Sequence, residues 1–115
     1  MANVARKISF DSGMDAFKRG DYAEAVVSWS AAADAGDAEA QYQLGLMYGN
    51  GTGVAQDFTK ALALFSAAAQ SGNMDAEYSV GVLYGVGLGT EQDSAEAAYW
   101  YSKAAEAGHT SALCN

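Results

Sequence analysis

Asp57 and Asp93 are the carboxylates whose recurrence most invites a catalytic reading, since acid-base chemistry commonly uses a pair of such groups. They stand 36 residues apart, each directly before a run with helical apolar periodicity. At that place a carboxylate accepts a hydrogen bond from one of the unpaired N–H groups of a helix start, so capping accounts for both. His109 and Cys114 are the only imidazole and the only thiol, fewer than the roughly three or four ligands a zinc site takes, so neither a metal nor a cofactor is expected. A Ser-His-Asp triad would have to draw its base from His109, near a fraying terminus. No catalytic residue is predicted.

Two glycine-rich segments, Gly49-Asn50-Gly51-Thr52-Gly53 and Gly85-Val86-Gly87-Leu88-Gly89, raise the question of phosphate binding. A dinucleotide loop follows a strand and opens a helix, and a Walker loop ends in Lys followed by Ser or Thr. Here each segment follows a helical pattern and carries neither feature. Glycine serves instead as a residue that visits positive φ in a tight helix-to-helix connection.

The elements around these residues are helical by composition. Half of the 115 residues are apolar and Pro is absent, which leaves a chain rich in helix formers without the strongest breaker. Fourteen acidic against six basic residues give a net charge of -8, the wrong sign for binding nucleic acid or an anionic membrane surface. No apolar run reaches the roughly 18 residues of a membrane span, and residues 1–10 lack the apolar core of a signal peptide. A soluble chain is expected, with the choice between cytoplasm and periplasm open.

Sliding the sequence by 36 places Gly45 on Gly81, Tyr48 on Tyr84, Asp57 on Asp93, Ala61 on Ala97, Phe65 on Tyr101 and Gly72 on Gly108. The same offset backward places Asp57 on Asp21, Ala61 on Ala25, Phe65 on Trp29 and Gly72 on Gly36. An earlier unit is therefore present in part, with a shorter connection. Ala61, Leu64, Phe65, Ala68 and Ala69 follow amphipathic helical spacing, and Ala97, Trp100, Tyr101, Ala104 and Ala105 repeat it. Gly45, beside Leu44, leaves a notch for close helix approach. Asp21, Asp57 and Asp93 read as N-caps, Glu24 and Glu96 as partners in capping boxes, and Gly36, Gly72 and Gly108 as C-terminal caps. Helices are predicted over 9–19, 22–35, 38–49, 58–71, 74–85 and 94–107. Each antiparallel pair buries one side of itself, so neighbouring pairs stack.

The string from Ala40 to Tyr48, followed by Gly51-Thr52-Gly53-Val54, Asp57, Ala61, Phe65, Ala68-Ala69 and Gly72, resembles the Sel-one-like repeat (SLR). The stretch from Ala76 to Gly108 resembles it again. Residues 13 to 36, with Gly20-Asp21-Tyr22, Ala25, Trp29 and Ala32, look closer to a tetratricopeptide repeat. The resemblance implies one all-α domain, a right-handed α-α superhelix or solenoid of antiparallel helix pairs. It divides the chain into a tetratricopeptide-like pair (1–36), two Sel-one-like units (37–72 and 73–108) and the start of a further unit (109–115). It further implies a non-enzymatic adaptor that holds a peptide or protein on its concave face. One branch of the family is cysteine-rich; with Cys114 as its only cysteine, this chain departs from it, and penicillin binding is not carried over.

By analogy with tetratricopeptide grooves, the partner-binding positions are Met14, Phe17 and Lys18, then Glu39, Tyr42, Leu46 and Asn50, then Asp75, Tyr78 and Val82. Carboxylates, tyrosines and apolar side chains together suit a partner carrying Lys or Arg beside a hydrophobic anchor. Trp29, Phe65, Trp100, Tyr48 and Tyr84 read as core. The segment from His109 to Asn115 stops inside a repeat, so the chain reads as part of a longer array. Trp100, Tyr101 and Leu113 would then offer an apolar end for self-association, the alternative function. Hydrolysis of cell-wall material is the least supported reading.

Overall fold

The computed structural model describes residues 2–108, and side chains from residue 10 onward. Among these residues the secondary structure is six helices: α1 (Ala2–Lys18), α2 (Tyr22–Asp34), α3 (Ala38–Asn50), α4 (Phe58–Gln70), α5 (Met74–Val86) and α6 (Ser94–Glu106). The expected boundaries hold within a residue except at α1, which begins at Ala2 and not at residue 9. Neither Gly nor Pro interrupts the sequence ahead of residue 9, so nothing stops the helix there. The expected repeat start at 109–115, with His109, Leu113 and Cys114, lies outside the described residues.

Each helix packs chiefly on its neighbours in sequence. Alanine permits this closeness: Ala16, Ala25, Ala32, Ala40, Ala61, Ala68, Ala76 and Ala104 are fully buried. One core cluster joins α1, α2 and α3 around Trp29 and Leu44, and a second joins α4 and α5 around Phe65 and Val80. Tyr48 packs against both and bridges them. Burying a side chain such as Phe65 contributes about 1.5–3 kcal/mol.

Within each pair, a glycine of the first helix faces an aromatic ring of the second. A Cβ on Gly13, Gly45 or Gly81 would stand 2.4, 2.7 and 2.9 Å from Trp29, Phe65 and Tyr101 respectively. The first connection spans 19–21 whereas the second spans 51–57, so it is four residues shorter, and the glycine-to-aromatic register survives that difference. Indole Nε1 of Trp29 donates to the Phe10 carbonyl at 3.1 Å, which satisfies the polar edge of a ring buried in the first pair.

The helix ends obey the capping chemistry only in part. Asp21, Asp37, Asp57, Asn73 and Asp93 each accept from the backbone N–H three residues on, at 2.9 to 3.2 Å. After α2 the Gly36 N–H donates to Ala33 and the Asp37 N–H to Ala32, the paired bonds of a Schellman turn, repeated by Gly72 and Asn73 after α4. The capping boxes assigned to Glu24 and Glu96 do not close. Glu24 pairs with Arg19 at 3.0 Å, and Glu96 accepts from Trp100 Nε1 at 3.1 Å. The N–H groups that a box would use, those of Asp21 and Asp93, already donate at 2.9 Å to the Ala16 and Tyr84 carbonyls.

The glycine-rich connections belong to inter-repeat packing. Gly53 and Gly89 hold φ of 74° and 77° and press on the starts of α2 and α4, where a Cβ would meet Tyr22 at 2.9 Å and Phe58 at 2.4 Å. Each connection therefore rests on the preceding pair. Gln56 and Gln92 complete it by donating to the Gly49 and Gly85 carbonyls at 2.9 and 2.8 Å, a clamp at the C-terminal ends of α3 and α5.

Candidate functional site

The first helix of each pair lines a common face, and two clefts open along it. The larger, about 290 Å³, lies between α3 and α5 over the α4 ring of Phe65; Leu46, Asn50, Tyr78 and Val82 line it with Phe58 and Leu88. The smaller, about 220 Å³, lies between α1 and α3 and is lined by Phe17, Leu46 and Asn50 with Tyr22, Gln43 and Thr52. Leu46 and Asn50 form the wall that the clefts share. The linings correspond at the 36-residue offset: Tyr22 with Phe58, Gln43 with Ser79, Leu46 with Val82, Met47 with Leu83, and Thr52 with Leu88.

Five of the ten residues singled out from sequence, Phe17, Leu46, Asn50, Tyr78 and Val82, line these clefts. The other five do not. Met14 is half-buried against the first core cluster, and Lys18 is exposed at the end of α1. Glu39 is exposed at the start of α3, where Oε1 accepts from Asn73 Nδ2 at 3.0 Å, and Asp75 is exposed at the start of α5. Tyr42 is half-buried, its ring 5.7 Å from Phe65, so part of it belongs to the core.

Electrostatics at this end of the face are negative. Burial first, then the carboxylates of Asp75 and Glu39, hold the Tyr42 phenol above its usual range, while a hydrogen bond with Ser79 pulls it partly back. A neutral phenol flanked by two carboxylates favours a cation over an anion beside the larger cleft.

Glu77, Phe58, Leu88, Gln43 and Thr52 escaped the sequence reading. Glu77 is 5% exposed and its Oε1 is buried without a hydrogen-bond partner, as is Oε1 of Gln41, its equivalent one repeat earlier. The offset of 36 pairs the rest by position, Gln43 with Ser79 and Thr52 with Leu88, but the residue types change there, whereas core pairs such as Ala61 and Ala97 are identical.

The candidates for chemistry resolve differently. Asp57 and Asp93 cap α4 and α6, accepting from Lys60 and Glu96 at 3.1 Å each. Among the described residues no group of His, Cys, Asp and Glu could hold a metal ion, and no helix is long and apolar enough to cross a membrane. Trp100, read as core and also as part of an apolar end, is half-buried against the second core cluster, as Leu64 packs back on the first. Tyr101 is half-buried, its ring tilted against Tyr78 at 5.5 Å, whereas its equivalent Phe65 is 5% exposed.

Antiparallel helix pairs stacked in sequence, with glycine notches and capped turns at a fixed offset, define an α-α superhelix of the solenoid class. The chain belongs to the Sel1 repeat family, which it matches over residues 38–73 and 75–109, more than half of its length. Proteins of this family are generally protein-interaction modules and typically non-enzymatic. Among solved structures it is similar to c5321, a protective antigen of uropathogenic Escherichia coli strains displaying an SLR fold, at TM-score 0.88 and 34% identity over 93% of this chain. It is similar also to a Sel1 repeat protein from Oxalobacter formigenes, at TM-score 0.79 and 39% identity over 82% of this chain. It spans 24% and 27% of those two chains. Cysteine-rich protein B of Helicobacter pylori shares the fold, at TM-score 0.75 and 24% identity, over 79% of this chain and 68% of that one. No match is found among curated proteins.

Proposed function

We propose that this chain is a non-enzymatic interaction module that binds a protein or peptide along the face of α1, α3 and α5. The observation that carries the proposal is the larger cleft: an apolar recess of about 290 Å³, floored by Phe65 and walled by Leu46 and Val82, opening onto solvent beside Asn50. Such a recess takes one aliphatic or aromatic anchor, and anchors of this kind dominate binding energy. Glu39, about two helical turns before Leu46 on α3, and Asp75, about one turn before the cleft residues Tyr78 and Ser79 on α5, suit a Lys or Arg next to that anchor.

The tyrosines are poor test positions, because Tyr42 packs on Phe65 and Tyr78 on Tyr101, and truncating them would loosen the stack. Asn50→Arg with Val82→Arg fills the cleft with charge at positions that are exposed and half-buried. Tyr99, 53% exposed on the outer side of α6, supplies the control Tyr99→Arg. In pull-downs, the partner captured by the wild type is expected with the control and lost with the cleft variant. Capture by the cleft variant at the wild-type level would remove the proposal.

A further inference from the structure

The larger cleft is sized and lined for one kind of anchor. An apolar cavity of about 150 Å³ holds a single benzene ring, and the recess, about 290 Å³, has room for two fused rings. A lone Leu or Val side chain would leave much of it unfilled, and unfilled space forfeits packing contacts. Phe58, Phe65 and Tyr78 all line it, so an aromatic guest gains ring-to-ring contacts that an aliphatic one lacks. Asn50 stands exposed in the lining, and among the described residues its side-chain amide makes no hydrogen bond. Two other polar groups of the lining are engaged: the Gly49 carbonyl accepts from Gln56 Nε2 at 2.9 Å, and Ser79 Oγ donates to the Asp75 carbonyl at 2.9 Å.

From this lining we infer that the anchor is a tryptophan side chain of the partner, with its indole ring in the recess against Phe65, its N–H donated to Asn50 Oδ1, and a Lys or Arg next to it in the partner sequence. The inference rests on the proposed groove function and names the residue that the groove reads. Tryptophan is the side chain that supplies two fused rings and still needs an acceptor. A buried indole N–H without one is costly, so Asn50 is what lets the recess take Trp. Phenylalanine, with one ring, leaves both the extra volume and the Asn50 amide unused. One repeat later Val86 stands where Asn50 does, so the stacking of the pairs does not require an amide there. The charge of the neighbour follows from Glu39 and Asp75, which precede the cleft residues on α3 and α5, and from the net charge of -8. These carboxylates repel an acidic neighbour and attract a basic one. Trp and Arg are also among the side chains that most often dominate the energy of an interface.

The test is an NMR titration of the whole chain, isotope-labelled at its Leu and Val methyl groups, with capped amino acids and dipeptides at millimolar concentrations. Acetyl-tryptophanamide is expected to shift the Leu46 and Val82 methyl resonances through its ring current. It should bind about threefold to tenfold more tightly than its N-methylindole analogue, the worth of one hydrogen bond. Capped Arg-Trp is expected to exceed capped Glu-Trp by about fivefold. In Asn50→Leu, checked for folding by circular dichroism, the two indoles are expected to bind alike. The tryptophan reading would be overturned by acetyl-leucinamide binding as tightly as acetyl-tryptophanamide, or by no probe shifting Leu46 and Val82. Equal affinity of the two indoles for the wild type, or discrimination that survives in Asn50→Leu, would overturn it too. Equal affinity for the two dipeptides would overturn the basic neighbour. None of these results removes the groove function, which the pull-down with Asn50→Arg and Val82→Arg decides; capture by that variant at the wild-type level would overturn both.

Discussion

Phe65 fills the space that a side chain on Gly45 would need: a Cβ there would stand 2.7 Å from its ring. Phe65 is 5% exposed and leans on Tyr42, so the ring cannot swing aside. Gly45→Ala gains about 1 kcal/mol of helix propensity and loses about 1–3 kcal/mol to overpacking, a net destabilisation. Gly81→Ala meets Tyr101 at 2.9 Å, but that ring is only half-buried and yields more readily, so the loss is smaller. Gly49→Ala reverses the sign, because its nearest neighbour, the Ala61 Cβ, is 3.9 Å away and the helical position is unstrained. Urea midpoints of the three variants should rank in that order, and Gly45→Ala at or above the wild type would refute the notch.

Gln41 and Glu77 occupy equivalent positions, and their acceptor atoms are buried without partners. Gln41 compensates by donating Nε2 to the Ala33 carbonyl at 3.2 Å. The Glu77 carboxyl has no N–H to offer the corresponding Ala69 carbonyl, and its buried Oε1 is left without a donor, which is costly. Glu77→Gln is therefore expected to stabilise the chain by about 1 kcal/mol at neutral pH, and Gln41→Glu to destabilise it by a similar amount. Thermal melts of the two single variants decide this; a lower melting temperature for Glu77→Gln would show that the carboxylate is accommodated.

The sequence exposed whatever is local or copied. Asp57 and Asp93 are legible as caps because a cap needs only the next three residues, and the Gly45 notch is legible because Phe65 recurs as Trp29 and Tyr101 at matching places. Glu24 and Glu96 misled, since Arg19 and Trp100 outcompete backbone N–H groups that are already bonded. The site was half legible. Helical periodicity separates faces by about 100° per residue, and Tyr42 sits where the groove face meets the core face, so spacing alone could not divide it between them. Thr52 and Leu88 lie in connections, where no periodicity assigns a side.

Two phenols should titrate apart from the rest. Burial lifts Tyr42 above the ordinary tyrosine value of 10.0, with Asp75 and Glu39 adding to it, and burial then the neighbouring Tyr78 lifts Tyr101. A raised folded pKa means that the unfolded chain loses its proton first as pH rises. The stability involved is fully present below pH 10.0, the unfolded value, and is lost as pH climbs from there through the folded values. Absorbance titration at a phenolate wavelength is expected to show a late component among the seven tyrosines that shrinks in Tyr42→Phe. Glu39→Gln with Asp75→Asn should advance it only partly, because burial is the larger cause. A single transition for all the tyrosines would refute this arrangement.

Asn73 performs two tasks with one amide. Its Oδ1 accepts from the Ala76 N–H at 2.9 Å to cap α5, and its Nδ2 donates to Glu39 Oε1 at 3.0 Å, tying the start of α5 to the start of α3 across one repeat. Asp37, the equivalent residue, caps α3 with a carboxylate alone. Asn73→Asp keeps the cap and improves it electrostatically at a helix N-terminus, so a purely local view predicts a gain of a few tenths of a kcal/mol. Across the repeat it replaces a donor with a second negative charge against Glu39. The bond is exposed, which limits its worth to about 0.5–1 kcal/mol, and the repulsion subtracts further, so the net expectation is a loss. Pairing Asn73→Asp with Glu39→Gln should restore stability, since the new amide can donate to the new carboxylate. A double-mutant cycle of melting temperatures showing that the two changes simply add would mean the bridge does not couple the helices.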